Sequence, residues 1–136
     1  MTDAELLEKK LAFVETCLRE LAGAQVAKLG HDVREERYVE HTLQIAIQAV
    51  LDVAAHIVTD ERLGEPETNK ALFELLARGG WLPEHLVASL RNMAGFRNVL
   101  VHGYTDVDLD VVRDVLANHL GDLGSFVAAV RSRLPR

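Results

Sequence analysis

The chain has 136 residues, of which 49% are hydrophobic, so one domain spanning 1–136 has enough apolar side chains to build a core. A net charge of −6 excludes a protein that coats nucleic acid nonspecifically, because that affinity comes from Lys and Arg neutralising phosphates; any RNA contact has to be local. The single cysteine, Cys17, lies in an apolar-periodic segment and reads as a buried thiol, with neither a disulfide framework nor a CxxC metal pair available.

The acidic start, Met1-Thr2-Asp3-Ala4-Glu5, lacks the basic-then-apolar order of a secretory signal and instead resembles a helix capping box. Leu7, Leu11, Val14, Leu18 and Leu21 follow at helical steps, which predicts a first helix ending near Gly23. A polar stretch from Lys28 to Arg37 leads to a second helix with two apolar stripes, one of Val39, Leu43, Ile47, Val50, Ala54 and Ile57, the other of Ile45, Ala49 and Val53. Such a helix is either central to a bundle or part of a dimer surface, and the second reading is preferred. Its densest run, Ile45 to Val58, is interrupted by Gln48, Asp52 and His56, so no membrane span is expected and the setting is cytoplasmic.

Gly64-Glu65-Pro66 breaks the chain, and a short helix with Leu72, Phe73, Leu75 and Leu76 runs to Gly79-Gly80, with Trp81 expected to cover the core. A fourth helix should start at Pro83 and run to about Val101, ending at Gly103. The fifth carries Leu109, Val112, Leu116, Leu120, Leu123, Val127, Val130 and Leu134 behind an Asp106 or Asp108 cap. The fold expected is all-α: an up-and-down bundle of four long helices and one short one.

Chemistry concentrates in Arg97-Asn98-Val99-Leu100-Val101-His102-Gly103-Tyr104. Leu86, Leu90, Met93, Arg97 and Leu100 share one stripe, so a guanidinium occupies a slot that periodicity assigns to a hydrophobe. A charge there needs an internal ion pair, an anionic ligand or a second chain carrying acids. Residues five apart on a helix are rotated by roughly 140°, so Asn98 lies under His102 while Arg97 points elsewhere. The pair therefore closes only if the helix unwinds before His102, or if Arg97 of one copy meets His102 of another across a two-fold axis. An Arg and a His brought together suit phosphodiester cleavage, the His moving protons and the guanidinium binding the phosphate, without a metal. Arg and His near a helix end also commonly do no more than cap carbonyls, and spacing alone does not separate the readings.

Arg97, four residues, His102, one residue, Tyr104, preceded by Met93-Ala94-Gly95-Phe96, resembles the signature of the HepT-like toxins of the HEPN superfamily. The order of elements, from the opening amphipathic helix through the Gly64-Glu65-Pro66 break to the Val107-Asp108 start of the last helix, is similar to that family over nearly the whole chain. The resemblance implies a homodimeric, metal-independent endoribonuclease toxin needing no cofactor, whose catalytic Arg97 and His102 line a composite cleft, supported by Asn98. It also implies an MntA-like nucleotidyltransferase antitoxin that transfers AMP to Tyr104, expected on an exposed loop after Gly103. The competing reading is a noncatalytic nucleotide- or protein-binding partner of such a transferase.

Asp52 and His56, four apart on one face, would extend the polar cleft or orient Arg97, or else form a buried hydrogen-bonded pair without a catalytic task. His31, His41, His85 and His119 have no ligand-like spacing. Arg91 would guide RNA or be simply solvated, and the basic tail Arg131 to Arg136 reads as a frayed terminus.

Overall fold

Every regular element of this protein is helical among the residues that the computed structural model describes, 3–103 and 107–135. Six α-helices follow one another: α1 (Ala4–Ala22), α2 (Val33–Asp60), α3 (Ala71–Arg78), α4 (Val87–His102), α5 (Leu109–Asn118) and α6 (Leu120–Arg133). The all-α expectation holds, with differences that have local causes.

Asp3 caps α1 by accepting from the Leu6 N–H, and Leu7, Leu11, Val14, Cys17 and Leu21 are buried along its stripe. Helix α2 begins inside the polar stretch that the pattern reads as a connection. Asp32 caps it, accepting from Arg34 N–H at 2.9 Å, and Glu35 and Glu36 sit in its first turn, where the helix dipole favours acids. Those carboxylates also accept from Gln25 and Gly30 backbone N–H groups, so they tie the α1–α2 connection to the helix. The first turn faces solvent and carries no apolar stripe, which hides it from periodicity.

Both stripes of α2 are covered within the chain. Val39, Leu43, Ile47, Val50, Ala54 and Ile57 are buried, as are Ala49 and Val53, and only Ile45 of the second set stays partly exposed. Helix α2 packs against α1, α3, α4 and α6, so of the two readings of its two-sided pattern the chain itself accounts for the central one. Although α2 has the length and composition to cross a membrane, its apolar residues are largely used by this core.

The break at Gly64 is required by packing as well as by backbone: its φ is 142°, and a Cβ there would stand 2.9 Å from Leu75 Cδ2. Helix α3 stops at Gly79-Gly80, with Gly80 in the left-handed region and the Trp81 N–H donating to Leu76 O. Trp81 is buried as expected, and Arg133 lies over its ring at 4.8 Å while donating to Gly80 O. Phe73 of α3 meets Phe126 of α6 edge to face, with centroids 6.2 Å apart.

Pro83 opens a 3-10 turn, Glu84–Leu86, and the α-helical ladder of α4 starts only at Val87. The expected fifth helix is divided. His119, with φ −122° and ψ −5°, breaks it into α5 and α6, and its ring is held between Asp114 at 3.1 Å and Asp122 at 3.5 Å. Apolar periodicity continues through such a kink and so does not reveal it. Asp108 is the cap of α5, accepting from Asp110 N–H, whereas Asp106 lies outside the described residues.

Helix α6 is fastened to α1 by Arg131, which binds both oxygens of Glu15 at 2.8 and 3.1 Å and Glu8 Oε1 at 2.8 Å. The hydrogen bond from Arg131 holds the Glu15 carboxyl below the ordinary glutamate range, partial desolvation opposes this, and the charges of Arg131 and Arg19 add to the lowering. A depressed folded-state pKa means stabilisation present above the unfolded glutamate value and lost as pH falls through the folded one. Arg131→Ala is therefore expected to cost on the order of 1 kcal/mol at neutral pH, the scale of a partly exposed pair. In thermal melts from pH 7 downward, the gap between wild type and variant should close in acid; a gap independent of pH would place the effect in packing.

Candidate active site

Helix α4 carries the motif, and its two faces have different environments. Leu86, Leu90, Met93 and Leu100 are buried at the slots expected, and Arg97 shares their stripe at its half-buried edge. The guanidinium makes no ion pair among the described residues, so none of them supplies the internal partner. Its Nε is buried without a hydrogen-bond partner, and its Nη1 donates to Asn98 Oδ1 at 3.2 Å. A buried donor left open in this way calls for an outside acceptor, either an anion or a second chain.

His102 is the last residue of α4 and is exposed. The helix stays wound up to it, and Gly103 closes the turn with its N–H on Val99 O at 2.7 Å. Arg97 and His102 thus remain rotated by roughly 140° from each other, and one helix does not converge them. Asn98, exposed and four residues before His102, lies on the His102 face, and by accepting from Arg97 it draws the guanidinium toward that face. Concavities flank α4, one of about 350 Å³ against α3 and one of about 210 Å³ against α5, yet neither is lined by Arg97 or His102. Tyr104, the third polar member of the motif, lies outside the described residues.

Asp52 and His56 do not form the pair that their spacing offered. Asp52 accepts from Gln48 Nε2 at 2.8 Å and lies 3.7 Å from Lys10 Nζ of α1. His56 Nε2 instead sits 2.9 Å from Asp60 Oδ2, at an angle outside hydrogen bonding. Each residue has a competing partner four positions away on its other side, and that partner wins. Arg91 pairs with Glu74 of α3, so it is a structural cation rather than a free guide for RNA. Among the described residues, no group of three or more His, Cys, Asp or Glu side chains is placed to hold a metal ion. Lys70, outside every motif, rests its ammonium on the exposed face of α4 at Gly95.

Comparison with known proteins matches residues 7–130 to the family model described as Ribonuclease HepT-like. The mRNA nuclease HepT of Shewanella oneidensis is 28% identical over 132 residues, covering 94% of this chain and 98% of that protein. The tRNA nuclease HepT of Aphanizomenon flos-aquae is 29% identical over 100 residues, 74% of this chain and 68% of that protein. Among solved structures, a toxin-antitoxin with AMP-PNP superposes with a TM-score of 0.88 at 27% identity, covering 95% of this chain and 99% of that one. The tri-AMPylated Shewanella oneidensis HEPN toxin in complex with MNT antitoxin superposes with a TM-score of 0.86 at 28% identity, over 98% of this chain and all of that one.

Proposed function

The chain belongs to the HepT-like ribonuclease family, and from that premise we propose how it works: it is the endoribonuclease toxin of a toxin-antitoxin pair, cutting RNA in a cleft that two copies build together. The observation that carries the composite cleft is the orphaned Nε of Arg97 on a helix that stays wound through His102. A two-fold axis beside α4 sets Arg97 of one copy opposite His102 of the other, which the single chain does not achieve.

In that cleft the Arg97 guanidinium binds two nonbridging phosphate oxygens and stabilises the charge that grows on them during attack. His102 takes the proton of the ribose 2′-hydroxyl as its oxygen attacks phosphorus, or delivers a proton to the departing 5′-oxygen. Asn98 positions the guanidinium. The two relatives are named for different RNAs, mRNA and tRNA, so the shared chemistry does not itself choose the substrate. Acting on cellular RNA, the protein works in the cytoplasm.

Regulation follows from Tyr104, proposed as the acceptor of AMP from an MntA-like nucleotidyltransferase antitoxin. A structural neighbour of this chain is an AMPylated toxin bound to its antitoxin, which supports that reading.

Purified protein is expected to cleave RNA in the presence of a chelator and to sediment as a dimer at micromolar concentration. A stable monomer would remove the composite cleft. A dimer that binds a nucleotidyltransferase but cuts no RNA would favour the noncatalytic partner reading.

A further inference from the structure

We propose that Lys70 is a substrate-binding residue, its ammonium holding an RNA backbone phosphate one or two nucleotides away from the one being cut. The inference rests on the ribonuclease reading of Arg97 and His102, and it concerns a residue on another helix.

The outward face of α4 presents Arg91, Gly95, Asn98 and His102 in line, at steps of four, three and four residues, all exposed except the half-buried Gly95. A glycine inside a helix costs about 1 kcal/mol relative to alanine, so its presence mid-helix calls for a packing reason. Lys70 supplies one. A Cβ on Gly95 would stand 3.2 Å from Lys70 Nζ and 3.3 Å from Cε, tighter than ordinary contact, so the glycine gives the ammonium a seat a few tenths of an ångström closer to the helix than alanine would. Gly95 precedes His102 by seven residues, nearly two full turns, so the two share a face about 10 Å apart along the axis. One or two nucleotides of extended RNA backbone span that distance.

The charge of Lys70 is uncommitted among the described residues, for it enters none of their ion pairs. Glu74, one turn further along α3, takes Arg91 instead. Glu65, Glu67 and Glu74 line the neighbouring concavity together with Arg78 and Arg91, and Lys70 is not part of that lining. Local structure does not account for the residue either. Lys70 stands directly before α3 with helical φ and ψ and makes no capping bond of its own, the capping contact coming from Thr68 Oγ1, which accepts from the Ala71 N–H at 3.3 Å.

The test uses the full-length dimer and a fluorescent single-stranded 2′-O-methyl oligonucleotide, which lacks the nucleophilic hydroxyl and reports binding without cleavage. Lys70→Gln should weaken binding roughly fivefold and flatten the slope of log K against log salt by about 0.7, the loss of one phosphate contact on a single strand. Lys70→Arg should restore both. With cleavable RNA, Lys70→Gln should raise KM at unchanged kcat. Unaltered affinity and salt slope in Lys70→Gln would overturn the proposal, as would a loss confined to kcat. Should the wild type cut no RNA while Lys70→Gln still shows the weakened, salt-shifted binding, the phosphate contact stands and the ribonuclease reading falls.

Discussion

Replacing His102 with alanine is expected to lower RNA cleavage by about 10²- to 10⁴-fold, the range for removing a general acid or base, and to abolish toxicity in cells. Arg97→Ala should cost about 10²- to 10³-fold, as loss of a preorganised donor to developing charge does. Neither change should unfold the protein. His102 is exposed at the end of α4, so its removal leaves no buried group without a partner. Arg97 is half-buried, but its Nε is already unpartnered, so truncation removes an open donor and loses the packing of the methylene stem and one hydrogen bond to the exposed Asn98, which water can replace. Thermal midpoints within a few degrees of wild type, beside lost cleavage, would separate catalysis from architecture. An Arg97→Ala protein that unfolds would make the arginine a structural residue. Arg97→Lys should recover little, because an ammonium does not grip two phosphate oxygens in one plane.

What could be read from the amino-acid order was whatever rests on helical period. The stripes of α1, α2 and α4 fall on buried residues apart from Leu18 and Ile45, which are partly buried, and Arg97 stands out because it interrupts one of them. Features set by competition between neighbours were hidden. The His119 kink leaves the apolar repeat intact, and the solvent-facing first turn of α2 has no repeat to detect. Asp52 and His56 share a face, yet Gln48 and Asp60 share it too and are the partners they take. Lys70 was hidden for the same reason, because its seat depends on Gly95 of another helix.

Adenylylation of Tyr104 is expected to reduce cleavage as deeply as replacing His102 with alanine. In the transfer, the phenol oxygen attacks the α-phosphorus of ATP, pyrophosphate leaves, and the phenolic proton passes to the transferase or to water. Tyr104 follows His102 by two residues, so chain connectivity keeps their Cα atoms within about 7 Å. A phosphodiester added there brings one negative charge into competition with the RNA phosphate for Arg97, while the nucleoside obstructs the cleft by its bulk. No refolding is needed. Tyr104→Phe should remain folded, gain no adenylyl mass with a cognate transferase and ATP, and keep cutting RNA in their presence. Intact-mass measurement decides the assignment: equal gain in wild type and the Phe variant, or none in wild type, would remove Tyr104 as the control point.

The central claim, that each catalytic cleft joins Arg97 of one copy to His102 of another, is tested most directly by mixing two inactive proteins. Arg97→Ala and His102→Ala dimers are unfolded and refolded together, and cleavage is measured against each variant alone. A cleft built across the two-fold axis leaves one intact Arg97–His102 combination in every mixed dimer. With half of the dimers mixed, activity should return to about a quarter of wild type. A cleft contained within one chain has no intact combination in any dimer, so a mixture as inactive as its components, once mixed dimers are verified by mass, would contradict the account.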